Sequence, residues 1–258
     1  MISAQRIAEL YSLSAVQVAI EVVAETGSTN TDLMHRLNVL SSPTLLVAES
    51  QTQGRGRAGR AWFSASEASL TFSLAWKFRR HVHELAGLPL AVGVAIAHAL
   101  DAYDVRTTLK WPNDILKDGK KLGGILIETA AVRDGVWAVV GIGLNLALPD
   151  SLEEQIGQPA AESRWLAQLD RNQLIATLLD RLAETLVLFE TEGFTAFIAD
   201  WNRLNAHAGK PVSIVDGDQV SLDGIAAGVD NLGRLLLDTP AGQMAITSGD
   251  VSLRTIER

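Results

Sequence analysis

The stretch QTQGRGRAGRAWF at residues 51–63 decides the fold, because its glycines admit two structural readings. Gly54, Gly56 and Gly59 match G-x-G-x-x-G, the phosphate-binding turn of a dinucleotide fold. That turn requires a helix directly after the glycines and an acidic residue about twenty positions on. Here a strand-like run follows instead, SLTFSLAW at residues 69–76. Leu70, Phe72, Leu74 and Trp76 fall on one face and Ser69, Thr71, Ser73 and Ala75 on the other, and residues 72–78 contain no acid. A kinase glycine loop shares the spelling, but no HRD or DFG follows. Gly119-Lys120 and Gly209-Lys210 continue into Lys121 and Pro211, so neither completes a Walker A loop. The run is therefore read by its charge. Residues 54–60 hold three arginines and three glycines in a chain of formal net charge −8. Glycine lets backbone N–H groups approach an anion, and guanidinium forks bind carboxylate or phosphate oxygens in pairs.

Working outward, TLLVAE at 44–49 reads as a buried strand feeding the arginine loop. Ser28 or Thr29 can cap a helix running through Asn30, Asp32, Leu33 and Met34. Residues 88–100 are apolar nearly all round, with Pro89 suited to a first turn, and predict a core helix carrying His98 as a hydrogen-bonded core or boundary residue. Strands are predicted at 107–110, 123–129 and 136–145. From Asn172 to about Glu190, Leu174, Leu178, Leu182, Leu186 and Phe189 mark one helical face that Gly193 should end, and a short helix through Phe194, Phe197 and Trp201 follows. Beyond Gly209, short β-like runs are broken at Asp216-Gly217, 230–233, 240–242 and Ser248-Gly249, the spacing of a small all-β barrel. Ile7, Leu10 and Tyr11 share a face, so residues 1–20 predict one helix on the core. The expected organisation is an α+β domain over 1–208 and a small β domain over 209–258.

With 258 residues the chain can bury roughly three quarters of its unfolded surface. It has no cysteine, which excludes thiol catalysis, Cys-ligated zinc and iron–sulfur clusters and fits a reducing compartment, so a cytoplasmic location is expected. The N-terminus shows no leader pattern, and no run approaches the ~18 continuous apolar residues that span a bilayer, so a soluble protein with no membrane partner is expected. The acidic balance gives no general attraction for duplex nucleic acid, while a local basic site for a small anion remains open. His81 and His83 in FRRHVHE are read as a solvated loop rather than a metal pair, and Glu153 and Glu154 as surface charge.

Three further segments carry chemistry: KWPND at 110–114, KLGGILIE at 121–128 and GIGLN at 141–145. Each alone has a structural explanation. Trp111 can be core, Lys121 a solvated strand-end charge, and Gly141 and Gly143 sites of tight sheet packing. Their conjunction with the arginine loop calls for a shared cause.

Together with GSTN at 27–30 and QTQGRGRAGRAW at 51–62, these segments resemble, in order, the catalytic domain of biotin protein ligases, and the resemblance covers roughly residues 20–258. It implies a mixed β-sheet with helices on one side, the class II aminoacyl-tRNA synthetase-like fold, followed by an SH3-like barrel. It implies a two-step reaction: biotin and MgATP give biotinyl-5′-adenylate, and a lysine of a biotin carboxyl carrier protein, an acetyl-CoA carboxylase subunit, then takes the biotin. Residue by residue, it places Ser28, Thr29, Asn30 and Gln51 on the biotin head, with Gly54, Arg55, Gly56 and Arg57 around the valeryl chain and carboxylate. Lys121 bridges that carboxylate and the α-phosphate beside Gly124, Arg57 and Arg60 contact carboxylate and phosphates, and Trp62 shields the closed loop. Asn113 and Asn145 hold nucleotide oxygens, Asp114 is a candidate magnesium ligand, and Trp165 is either an adenine-stacking residue or part of the core. The glycine-rich loop is expected to act as a lid that keeps water from the mixed anhydride.

Some members of that family carry an N-terminal helix-turn-helix repressor module. Only about 26 residues precede Gly27 here, so the expectation is a ligase without DNA binding, monomeric or homodimeric. The competing readings are a lipoate ligase of the same fold and a non-catalytic biotin-responsive regulator.

Overall fold

In the computed structural model of the chain, the described residues are 1–12, 16–64, 66–147, 161, 163–216, 219–247 and 251–255; Glu153, Glu154, Gly217, Ser248 and Gly249 lie outside them. The larger sheet has seven strands: β1 (Ala19–Thr26), β2 (Thr44–Gln51), β3 (Ser69–Phe78), β4 (Thr108–Lys110), β5 (Asp114–Lys117), β6 (Lys120–Val132) and β7 (Gly135–Asn145). They lie in the order β1-β2-β3-β7-β6-β5-β4. Only β1 and β2 run parallel, Ala19 opposite Thr44. A parallel pair needs a crossover, which the helix α2 (Thr29–Arg36) supplies. Ser28 caps α2 by accepting from the Thr31 N–H at 3.5 Å. β1 and β5 were not foreseen from the sequence.

Strand alternation sorts the sheet into two faces. Leu45 and Val47 of β2, Leu70, Phe72, Leu74 and Trp76 of β3, and Val136, Ala138 and Val140 of β7 join the main core. Their alternates Leu46, Ala75, Trp137 and Val139 join a smaller cluster with Leu33 and Leu37 from and just beyond α2. Helices therefore cover both faces, a correction to the one-sided arrangement that the resemblance implied. The small polar face of β3 lies on the α2 side, and it is buried too: Ser69, Thr71 and Ser73 are each 3% exposed or less.

On the main-core side lie α1 (Ala4–Leu10), α3 (Leu88–Asp101), α4 (Arg164–Gln168), α5 (Arg171–Glu192) and α6 (Ile198–Leu204). Within α1, Ile7 is fully buried, and Leu10 and Tyr11 pack against the same core. The apolar helix α3 buries all but three of its residues. The span Val82–Asp101 has the length and apolar composition to cross a bilayer, yet it is 67% buried within the fold, as a core helix is. His98 sits at the boundary, 3.7 Å from Asp200 and 3.4 Å from Arg203. The long helix α5 ends where expected, at Gly193 with φ 65°. Phe194, Phe197 and Trp201 follow in a 3-10 turn and α6, all buried.

The second sheet is antiparallel: β8 (Pro211–Asp216), β9 (Gln219–Val229), β10 (Leu235–Thr239), β11 (Gly242–Ile246) and β12 (Val251–Thr255), in the order β11-β10-β9-β8-β12. Hydrogen bonds tie it, and the segment leading into it, to the rest of the fold. Trp111 is 1% exposed and donates from Nε1 to the Gly233 carbonyl at 3.1 Å. Val229 N–H donates to Asn202 Oδ1 at 3.1 Å, and Ala206 N–H to the Leu109 carbonyl at 2.9 Å.

His207 sits in that junction, 7% exposed, and its Nδ1 is a buried atom without a hydrogen-bond partner. Burial first, and then the charges of Lys110 and Lys210, push its pKa from 6.5 down to about 4. Below pH 6.5 the unfolded chain takes up a proton that the folded chain refuses, so this residue should subtract stability progressively as pH falls from 6.5 toward 4. Thermal melts of His207→Gln should lose part of that acid sensitivity; an unchanged slope of Tm against pH would exclude His207 as its source.

Candidate active site

The α2 face of the large sheet holds a cavity of about 280 Å³, close to the ~300 Å³ at which small-ligand pockets begin. Strand register explains which residues reach it. On β7 the odd positions share the α2 face, so Gly141, Gly143 and Asn145 continue the row of Trp137 and Val139. Their direct partners on β6, Gly143 with Gly124 and Gly141 with Leu126, share that face, as does Asp114 opposite Gly124. The two glycines of GIGLN form the floor. A Cβ on Gly141 would lie 2.2 Å from Asn30 Oδ1, and one on Gly143 would lie 2.3 Å from the Trp62 indole. They are seats for Asn30 and Trp62.

One end of the cavity is neutral and polar. Thr29 donates its backbone N–H to Gln51 Oε1 at 2.8 Å, Thr29 Oγ1 touches Ser73 Oγ at 2.7 Å, and Ser73 Oγ donates to Asn30 Oδ1 at 2.6 Å. Ser28, Thr29, Asn30 and Ser73 are all 5% exposed or less. Such groups are held in fixed orientation because leaving one unpaired is costly.

The other end is cationic. Residues 54–62 form a small hairpin: Trp62 N–H donates to the Gly54 carbonyl at 2.8 Å and Gly56 N–H to the Arg60 carbonyl at 2.7 Å. Its tip is Ala58-Gly59, with φ 53° and 70°; two successive positive values make the tight turn that suits a hairpin. From this hairpin Arg55, Arg57 and Arg60 line the cavity, and Lys121 faces them from β6. Lys121 Nζ is 2.6 Å from Asp114 Oδ1 and 5.9 Å from the Trp62 ring centre. Arg57 donates to Asn113 Oδ1 at 3.3 Å, and Arg55 pairs with Glu128. Asn113 is itself fixed, donating to the Ile125 carbonyl at 2.8 Å, and Asn145 donates to the Lys121 carbonyl at 3.4 Å. Four cationic side chains against two carboxylates, Asp114 in the lining and Glu128 paired with Arg55 behind it, leave a positive excess suited to an anion. The buried Trp62 Nε1 has no acceptor, an unmet donor in the same cavity.

Of the residues singled out from the sequence, Ser28, Thr29, Asn30, Gln51, Arg55, Gly56, Arg57, Arg60, Trp62, Asn113, Asp114, Lys121, Gly124 and Asn145 all line this cavity. Gly54 lines a shallower groove on the outer side of the hairpin with Gly27, Asp32 and Gln53. The hairpin backbone runs close beside it, since a Cβ there would meet the Trp62 carbonyl oxygen at 2.4 Å. Trp165 is 57% exposed and outside the cavity lining, which removes its reading as a core residue. Trp111, by contrast, is structural. Ser73, Phe72 and Phe63 line the site without having been singled out; the buried small-polar face of β3 was the available signal for Ser73. His81 and His83 are exposed and stack at 5.6 Å, and among the described residues no three His, Asp or Glu side chains gather as a metal site.

Known proteins resemble this chain in sequence and in fold. Residues 20–145 match the biotin/lipoate A/B protein ligase family, and residues 207–254 match the biotin protein ligase C-terminal domain. The bifunctional ligase/repressor BirA of Escherichia coli is 33% identical over 248 residues, covering 93% of this chain and 75% of that protein. The chain belongs to the biotin/lipoate A/B protein ligase family. Within it, the biotin–[acetyl-CoA-carboxylase] ligase of Mycobacterium tuberculosis is 32% identical, with 90% of this chain and 88% of that protein covered. The biotin protein ligase of Aquifex aeolicus, solved in complex with biotin and ATP, superposes with a TM-score of 0.79 at 30% identity, covering 92% of this chain and 99% of that one. The mixed sheet with packed helices is thus the sheet of this ligase family.

Proposed function

We propose that this chain is an ATP-dependent biotin protein ligase that activates biotin as biotinyl-5′-AMP and transfers it to a lysine of the biotin carboxyl carrier protein of acetyl-CoA carboxylase. The observation that carries this reading is one cavity with a neutral hydrogen-bonding end and a cationic end, spanned by Lys121 and the arginine hairpin. Biotin has matching ends. Its ureido ring carries two donors and an acceptor, its valeryl chain is apolar, and its carboxylate must meet a triphosphate.

In the first step a biotin carboxylate oxygen attacks the α-phosphorus, an acyl–phosphate bond forms and pyrophosphate leaves. Two anions must approach, so the site has to cancel their repulsion and stabilise charge on the α-phosphoryl oxygens. Lys121 is placed to exchange Asp114 for the biotin carboxylate and α-phosphate, and Arg57 to exchange the Asn113 amide for substrate oxygens. Arg60 at the hairpin end suits phosphate, Gly56 and Gly124 let the ligand lie close to backbone, and Asn113, Asn145 and the Trp62 Nε1–H suit nucleotide oxygens. In the second step the carrier lysine amine attacks the acyl carbon and AMP leaves. Asp114 fits as a lone protein ligand for the magnesium that accompanies ATP, since that ion takes most of its ligands from phosphates and water; it would lower the charge of the triphosphate. Trp165 remains a candidate for adenine only as a surface residue.

The division at residues 208 and 209, the SH3-like barrel form of the C-terminal sheet, a cytoplasmic site of action, a role without DNA and a monomeric or homodimeric state belong to the same proposal. The separate antiparallel sheet supports the division and the barrel form, and the net charge of −8 supports a role without DNA. Incubation with ATP, magnesium, labelled biotin and a carrier domain should label one carrier lysine, with lipoate giving no transfer; transfer of lipoate in preference would overturn the reading. Arg57→Ala should slow biotin-dependent pyrophosphate release about tenfold or more, the loss of a charged hydrogen bond of roughly 1.5–3 kcal/mol. An unaltered rate would remove Arg57 from the anion-binding set.

A further inference from the structure

We infer that Glu128 is a positioning residue that sets the donor and acceptor polarity of the biotin-head pocket. The inference rests on the biotin reading and adds a residue to it. Glu128 lies outside the cavity lining, on the α2 face of β6, with its side chain 27% exposed. Its two oxygens have different partners: Oε1 takes the Arg55 guanidinium and Oε2 takes the Asn30 amide at 3.0 Å.

An ionised carboxylate only accepts, and each hydroxyl has one proton to give. Asn30 must therefore turn Nδ2 toward Glu128 and the Leu126 carbonyl, 3.3 Å away, which leaves Oδ1 facing Ser73. Ser73 commits its proton to that Oδ1, so in the 2.7 Å contact between the two hydroxyls Thr29 is the donor, and the longer 3.1 Å approach of Thr29 Oγ1 to Gln51 Oε1 gives up its proton to that contact. Thr29 Oγ1 then meets the ligand as an acceptor. Gln51 uses Oε1 to take the Thr29 backbone N–H, so its amide nitrogen is the donor left for the ligand. A cyclic urea needs this pair: an acceptor for its N–H and a donor for its carbonyl. The direction of the relay is fixed at Asn30 by two groups that cannot donate, the Glu128 carboxylate at 3.0 Å and, at the longer 3.3 Å, the Leu126 carbonyl. Arg55 holds the other oxygen and so fixes the carboxylate in place.

The test is Glu128→Gln, which keeps size and shape but can present an NH2 group to Asn30, so that the longer bond to the Leu126 carbonyl is left alone to hold the amide against reversal. ATP–pyrophosphate exchange should show the KM for biotin raised tenfold or more, with the KM for ATP within twofold of wild type and Tm nearly unchanged. Ser73→Ala, which cuts the relay one link further in, should give the same biotin-selective loss, and it decides the matter if Glu128→Gln does not fold. A biotin KM within twofold of wild type in Glu128→Gln, or equal losses for biotin and ATP, would overturn the inference. Wild-type protein without biotin-dependent exchange would instead sink the biotin reading itself.

Discussion

Lys121→Ala is expected to reduce biotin-dependent pyrophosphate release by about a hundredfold or more. The reason is positional. Lys121 is the cation on the sheet side of the cavity, opposite three arginines on the hairpin, and both reacting anions must pass within its reach. A charge-assisted hydrogen bond is worth roughly 1.5–3 kcal/mol, one to two powers of ten in rate, and here carboxylate and α-phosphate each lose one. The loss compounds because Asp114, 2.6 Å from Lys121 and only 21% exposed, would keep its negative charge in the cavity unpaired and repel both substrates. Lys120, its exposed neighbour on β6, provides the control: Lys120→Ala should leave the rate within twofold. Equal rates for wild type and Lys121→Ala would exclude this lysine from adenylation.

The largest stability effect is expected at Gly135, which closes the β6–β7 hairpin. Its φ is 135°, a conformation that side chains rarely adopt, and a Cβ there would lie 2.0 Å from the Phe78 carbonyl oxygen at the end of β3. The obstacle is backbone, so nothing can rotate away. Conformational strain alone is worth about 1–3 kcal/mol, and moving the strand end disturbs three adjacent central strands. Gly135→Ala should lower stability by about 3 kcal/mol or more, read as a shift in denaturant midpoint. Gly119→Ala gives the comparison: its φ is also positive at 76° but a Cβ would have open space, so the expected loss is smaller. Similar midpoints for Gly135→Ala and wild type would show that the hairpin can re-form around the methyl group.

Much of this was legible in the sequence because local chemistry dictated it. The alternation of Leu70, Phe72, Leu74 and Trp76, the all-round apolar α3 and the Gly193 stop each depend on neighbours in sequence. β1 was missed because its residues Ala19–Thr26 are only partly buried at a sheet edge and carry weak alternation, so only the parallel register with β2 identifies them. β5 has four residues, too few for a period. In the site, charged and glycine-rich motifs announced the cationic end, whereas Ser73, on the small-polar face of β3, and Glu128, at the end of KLGGILIE, act through partners 43 to 98 positions away that the sequence does not bring together. The second face of helices was likewise invisible until register showed which apolar residues look toward α2.

The left-handed Ala58 at the hairpin tip has a consequence of its own. Glycine would adopt its φ of 53° freely, whereas alanine gives up about 1 kcal/mol there, less than one charged hydrogen bond to a ligand contributes. The turn therefore carries a small cost that a glycine at position 58 would remove, and a single charged hydrogen bond from an anion beneath the hairpin exceeds that cost.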